Sequence, residues 1–167
     1  MQTPFMDTQC GTFRSLSIFK NLGEEEIELV RDLVQTREYK SNELILKEGE
    51  PVHSLYVICD GSVHVKRKAR DHELLLGRLE KGDFFGEVNL FDQGGATASV
   101  TAVQPTRAAL VHFKDLRPFM SSNPSIGYKI LEAITTELGH RLRETDRRLV
   151  LSLYWKDLKA EDTRLPG

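Results

Sequence analysis

Asp60-Gly61 stands between two short apolar-rich runs, Leu55 to Cys59 and the alternating segment Ser62 to Lys66. A two-residue hairpin turn selects Asp-Gly, because its central residues take positive φ. The pair therefore predicts two adjacent antiparallel strands. Val63 and Val65 alternate with Ser62, His64 and Lys66, which gives one buried face and one wet face. Further turn signals recur along the chain. Gly49-Glu50-Pro51 comes after Leu44 and Leu46, and Asp71-His72 precedes Leu74-Leu75-Leu76 and Leu79. Lys81-Gly82-Asp83 precedes Phe84-Phe85-Gly86-Glu87, and Gln93-Gly94-Gly95 precedes two more runs, Ser99 to Val103 and Ala108 to Phe113. Short strands turned this regularly predict a mainly β fold with flanking helices, a double-stranded β-helix or jelly-roll-like barrel.

Helical patterns flank that region. Leu16, Ile18, Phe19 and Leu22 form an apolar cluster before Gly23. Glu24, Glu25 and Glu26 suit the first turn of a helix, where negative charge complements the dipole, and Ile27, Val30, Leu33 and Val34 continue at helical spacing. The pattern predicts a helix from Glu24 to about Gln35. Lys114 to Met120 predicts a short helix. Asn123-Pro124 reads as a helix start, with Asn as N-cap and Pro in the first position. Only Gly127 and Gly139 weaken the helical pattern from there to about Asp157. That is roughly 34 residues, or ~50 Å. Leu131, Leu138, Leu142, Thr145, Leu149 and Ser152 supply a coiled-coil seam. The beginning of the helix is expected to pack on the chain's own barrel. The rest, with Leu131, Leu138, Leu142 and Leu149, is expected to meet a second copy in a homodimer.

Composition narrows the function classes. The chain has 167 residues, 40% of them hydrophobic and 29% charged, with a net charge of −2. No basic excess marks a nucleic-acid grip. Arg141, Arg143, Arg147 and Arg148 are interleaved with Glu144 and Asp146, which reads as a solvated helix face. No run reaches the ~18 apolar residues of a membrane span, and residues 1–10 lack the charged and apolar regions of a signal peptide. Cys10 and Cys59 fit neither a metal motif nor a disulfide framework. Cys59 is expected as a small buried hydrophobe, and the compartment as the reducing cytoplasm. His53, His64, His72, His112 and His140 include no pair spaced as metal ligands, although His64 and His72 lie on opposite arms of one hairpin. No nucleophile–base pair stands out, so no catalytic residue and no enzyme is predicted.

The segment with chemistry is Phe84-Phe85-Gly86-Glu87-Val88-Asn89-Leu90-Phe91, with Thr97-Ala98-Ser99 shortly after it. A glycine admits close approach to its backbone, and successive N–H groups in a tight turn cradle an anion. A glutamate directly after it is placed to accept a sugar hydroxyl. With Leu44 to Gly49, Ser54 to Val65, Lys81 to Glu87 and Asn123-Pro124 in this order, the chain resembles the cyclic-nucleotide-binding domains, in particular the effector domain of catabolite-activator-type regulators, from about Phe13 to Leu158.

The resemblance implies a non-enzymatic signal-sensing module. It implies that Gly86 approaches the cyclic phosphate and ribose, that Glu87 accepts the ribose 2′-hydroxyl, and that the Val88 backbone adds a polar contact. Val65, Leu76 and Gly77 would line the pocket, and Thr145 would reach the base. The ligand would be a cyclic nucleotide, cAMP or cGMP. The family's loop carries an arginine for the cyclic phosphate. Two alignments place that position at Ala96 or at Thr97, beside Ala98, and Gln93 to Thr101 holds no Lys or Arg. A charge-assisted hydrogen bond contributes roughly 1.5–3 kcal/mol, so its loss weakens binding ~10–150-fold.

The expected organisation is an arm over residues 1–12, a β-roll with its N-terminal helices over 13–122, a dimerisation helix over 123–158 and a tail over 159–167. No room is left after the helix for a DNA-binding domain, so no DNA contact is expected within this chain, and none with a membrane. Two functions stay open: a sensor that signals through its dimer helix to a protein partner, and a degenerate module that binds no cyclic nucleotide and serves as an interaction or dimerisation scaffold. A metal-dependent barrel enzyme is a remote third.

Overall fold

A computed structural model describes residues 16–162 other than Gln93, with side chains as far as Trp155. The expected arm over residues 1–12 lies outside the described residues. Eight strands form two four-stranded antiparallel sheets. They are β1 (Val34–Tyr39), β2 (Leu44–Leu46), β3 (Ser54–Asp60), β4 (Ser62–Ala69), β5 (His72–Glu80), β6 (Phe84–Phe85), β7 (Ser99–Ala102) and β8 (Thr106–His112). One sheet has the order β1-β8-β3-β6 and the other β2-β7-β4-β5. The chain thus crosses repeatedly between sheets. The expected hairpin at Asp60-Gly61 is not formed, because β3 and β4 lie in different sheets. Asp60 is the last residue of β3 and only Gly61, at φ 90°, takes the left-handed conformation, so the turn carries the chain from one sheet to the other.

Side chains from both sheets fill the space between them. Ile58 and Phe85 of the first sheet cluster with Val63 and Val100 of the second. Tyr39, Ala108 and Leu110 cluster with Ala102. Each fully buried large apolar side chain contributes about 1.5–3 kcal/mol. Tyr56 stacks on Phe85 with ring centroids 4.9 Å apart. Burial pushes the Tyr39 phenol up to about 12. On the opposite face of the first sheet, Leu55, Val57, Ala109 and Val111 are buried too. The helical flanks supply Leu16, Ile18, Phe19, Leu116, Ile126 and Ile130, all buried.

Helix α1 (Glu24–Arg31) ends earlier than its periodicity suggests. Val34 and Gln35 belong to β1, where Val34 pairs with Val111 and Gln35 with Leu110. Strand pairing therefore overrides the helical spacing of Leu33 and Val34. The start of α1 is closed by Glu26, whose carboxylate accepts the Gly23 N–H at 2.7 Å. The same carboxylate takes a 2.6 Å bond from Lys129, which ties α1 to the start of the long C-terminal helix (Pro124–Asp162).

Helix α2 (Phe113–Ser122) precedes that long helix, α3, with Asn123 between them. The Asn123 carbonyl accepts the first bond of α3, from the Gly127 N–H at 2.9 Å. Its side-chain amide instead donates back to the Phe119 carbonyl at 3.0 Å. Asn123 is thus the predicted N-cap by position, but its side chain closes the end of α2.

The chain divides into one compact unit that runs to Ala133 and a second, helical unit from Ile134 onward. In the second unit Leu142, Leu149, Val150, Leu151, Leu153, Tyr154 and Trp155 are exposed. In the hairpin β4–β5, His64 pairs with Arg78 and His72 with Ala69, so the two histidines do not face each other. Cys59 is buried, as expected. Among the described residues no helix is long and apolar enough to cross a membrane, and no cluster of three or more His, Cys, Asp or Glu side chains is placed to hold a metal ion.

Candidate functional site

The segment from Gly86 to Ala98 carries the chain from β6 of one sheet to β7 of the other. Gly86 lies in the left-handed region at φ 83° and opens a 3-10 turn over Glu87–Leu90. A β-carbon on Gly86 would fall 2.7 Å from the Ser54 carbonyl oxygen and 3.3 Å from the Tyr56 ring. The glycine is thus required by the fold itself, by its φ and by the approach of β3, before any ligand is considered. Glu87 is buried at 7% exposure, while Val88 is exposed at 37%.

The far end of the loop is held by backbone bonds. The Ala96 N–H donates to the Glu50 carbonyl at 2.8 Å, and the Gly49 N–H donates to the Ala96 carbonyl at 2.9 Å. Gly95 passes so close to Gly49 that a β-carbon there would collide with the Gly49 carbonyl. Ala96 and Ala98 are buried, at 6% and 8%, whereas Thr97 between them is exposed. An added long side chain therefore has room at Thr97 and none at Ala96.

The predicted pocket-lining residues fall together on the second sheet. Val65 pairs with Gly77 on one side and with Val100 on the other, and Lys66 pairs with Ser99. The register shifts after Val65, so Lys66 faces Leu75 and Leu76 is the extra residue of a bulge. Leu76 is exposed at 43%. Thr145 stands on the separate helical unit, and its hydroxyl donates to the Arg141 carbonyl at 2.8 Å. Leu131 is half-buried at the end of the first unit. Leu138 is half-buried in the second, where Leu142 and Leu149 are 63% and 56% exposed.

Two polar residues that sequence reasoning missed hold the loop. Asn89 is buried at 6%. Its side-chain amide reaches the carbonyls of Gly94, Gly95 and Asp92. Arg117 of α2 donates its Nε proton to the Leu90 carbonyl at 2.5 Å, and its Nη2 lies 3.4 Å from the Asn89 carbonyl. The guanidinium also sits over the rings of Phe91 and Phe113, at 5.8 and 5.9 Å. Arg117 therefore satisfies the carbonyls left open where the 3-10 turn ends, and Asn89 ties that turn to the loop beyond it. A buried asparagine in a polar loop carries no sequence signal of its own. Arg117 reads in sequence as one more surface cation on a helix.

The family model for the cyclic nucleotide-binding domain matches residues 36–123, which contain both sheets except for Val34 and Gln35 of β1, the loop from Gly86 to Ala98, and α2. The chain belongs to the cyclic nucleotide-binding domain family. As a cyclic nucleotide-binding domain it is 32% identical over 133 residues to a CRP-like cAMP-activated global transcriptional regulator of Mycobacterium tuberculosis. That match covers 79% of this chain and 58% of the relative, so the chain spans little more than half of that protein's length. Among solved structures it is similar to the catabolite activator protein of Thermus thermophilus, with a TM-score of 0.72 and 29% identity over 83% of this chain and 63% of the other. A cyclic nucleotide-binding domain from Methylobacillus flagellatus shares the fold, with a TM-score of 0.78 at 23% identity, over 84% of this chain and 83% of the other. The resemblance carried by the Phe84 to Glu87 motif is thus confirmed at the level of family and fold.

Proposed function

We propose that the chain is a non-enzymatic sensor that binds a cyclic nucleotide, cAMP or cGMP, between the Gly86-Glu87 turn and the β4–β5 hairpin. Glu87 accepts the ribose 2′-hydroxyl. The backbone N–H groups of Gly86 and Val88 take polar contacts with the ribose and phosphate. Ala96, Thr97 and Ala98 border the phosphate, with the Thr97 hydroxyl as a neutral donor in place of a cation. Val65, Leu76 and Gly77 cover the apolar side. The observation that carries this reading is the buried Glu87 at the head of a left-handed glycine turn, whose loop returns to the second sheet beside Val65.

The relative from Mycobacterium tuberculosis is named a cAMP-activated transcriptional regulator. This supports cAMP as the first ligand to test and the cytoplasm as the compartment. The exposed stripe of Leu142 and Leu149 supports a homodimer through the long helix, and signalling to a protein partner passes through that helix. The scaffold alternative is not favoured, because the turn, the glutamate and the pairing beside Val65 all stand.

Chemical-shift mapping with cAMP tests the site. Saturable shifts at Gly86 to Val88 and at Ala96 to Ala98 are expected. Shifts confined to other segments would rule this site out.

A further inference from the structure

Behind the loop, on the side of α2, lies a cavity of about 460 Å³. Its lining includes Val52, His53, Asn89, Phe113, Lys114 and Arg117. None of the cradle residues Gly86, Glu87 or Ala96 to Ala98 belongs to it. The volume falls within the ~300–1,000 Å³ range of small-molecule sites. Its floor is apolar, from buried Val52 and Phe113, with Pro51 and Pro118 at the edge.

The charges at this floor are unbalanced. Lys114 makes no ion pair among the described residues. The hydrogen bonds of Arg117 go to the neutral carbonyls of Leu90 and Asn89, so no carboxylate offsets its charge there. The guanidinium is held in place between Phe91 and Phe113. Asp92 is the lone carboxylate of the lining, and its Oδ1 already accepts the Gly94 N–H at 3.0 Å. Two cations beside an apolar floor complement one anionic group attached to an apolar body.

We propose that this cavity is a second ligand site, separate from the nucleotide cradle, for a small carboxylate with an apolar body. Arg117 and Lys114 take the carboxylate, and Val52, Phe113 and Pro118 take the apolar part. A ligand there lies against Asn89, which holds the Gly94 and Gly95 carbonyls. Occupancy therefore bears on the loop that closes the cradle, without requiring that the cradle be filled.

The test is a pair of titrations of the 15N-labelled chain, with 3-phenylpropionate and with its neutral isostere 3-phenylpropanamide. The expected result is a saturable shift of the Val52, His53, Asn89, Lys114 and Arg117 amides. The carboxylate should bind about tenfold more tightly than the amide. Lys114→Gln, at an exposed position that leaves the fold intact, should erase that preference, and Lys114→Arg should retain it. Equal binding of the two probes, shifts away from these amides, or an unchanged preference in Lys114→Gln would overturn the proposal. Neither probe is a nucleotide, so the outcome does not depend on whether the cradle binds cAMP.

Discussion

A β-carbon on Gly86 would stand 2.7 Å from the carbonyl oxygen of Ser54, with the backbone of Gly86 already at a φ of 83°. Both constraints act on the folded state. Gly86→Ala is therefore expected to cost at least ~2 kcal/mol, from left-handed strain of about 1–2 kcal/mol plus the displacement of β3. Urea unfolding measures it. A change under about 0.5 kcal/mol would show that the turn relaxes and that Gly86 is not held by the fold.

Arg117 spans the distance from α2 to the end of the 3-10 turn. Arg117→Met keeps most of the aliphatic stem but leaves the Leu90 carbonyl without its donor. The expected loss is about 2 kcal/mol, with faster amide exchange over Phe91 to Ala96. Unchanged exchange in that segment would remove Arg117 from its role in holding the loop.

The two candidate positions for a phosphate cation separate by burial. Thr97 is exposed, and Ala96 is buried with both its backbone groups bonded to the Gly49-Glu50 turn. Thr97→Arg should tighten cAMP binding ~10–150-fold without loss of stability. Ala96→Arg should lower the melting temperature and bring no such gain. The reverse order of effects would move the cation position to 96.

The Glu26–Lys129 pair makes the junction of α1 and α3 sensitive to acid. The bond from Lys129, then that from Gly23, holds the Glu26 carboxyl below its ordinary value. A carboxyl lowered on folding stabilises the protein above its unfolded pKa, and the contribution fades as the pH falls through the folded value. The stability difference between wild type and Glu26→Gln should hold steady near neutrality and shrink below the ordinary carboxylate range. A difference that is constant down to about pH 3 would contradict the assignment.

Much of the architecture is written in short-range signals. Lys81-Gly82-Asp83 and the alternation at Val63 and Val65 mark a turn and a strand because each local preference agrees with the final fold. Asp60-Gly61, by contrast, marks a turn but not the hairpin its residue types suggest, since the strands on either side of it join different sheets. The signal fails where partners are distant in sequence. β1 is an edge strand whose only fully buried side chain is Tyr39, so Val34 to Tyr39 shows no strand alternation, and its pairing with β8 is invisible locally. β5 is another edge, largely exposed, and its bulge at Leu76 comes from register alone. In the site, Gly86 and Glu87 are legible as a motif. The hold on the loop by Asn89 and Arg117 is not, because it joins residues 28 apart through backbone carbonyls that any sequence possesses.

Calorimetric titration with cAMP tests the central claim, that this domain still reads a cyclic nucleotide. The wild-type chain should give a saturable heat at micromolar to millimolar ligand. Glu87→Gln, shown by its melting curve to be folded, should abolish that heat. No heat and no rise in melting temperature at millimolar cAMP or cGMP would contradict the claim, as would full binding by Glu87→Gln.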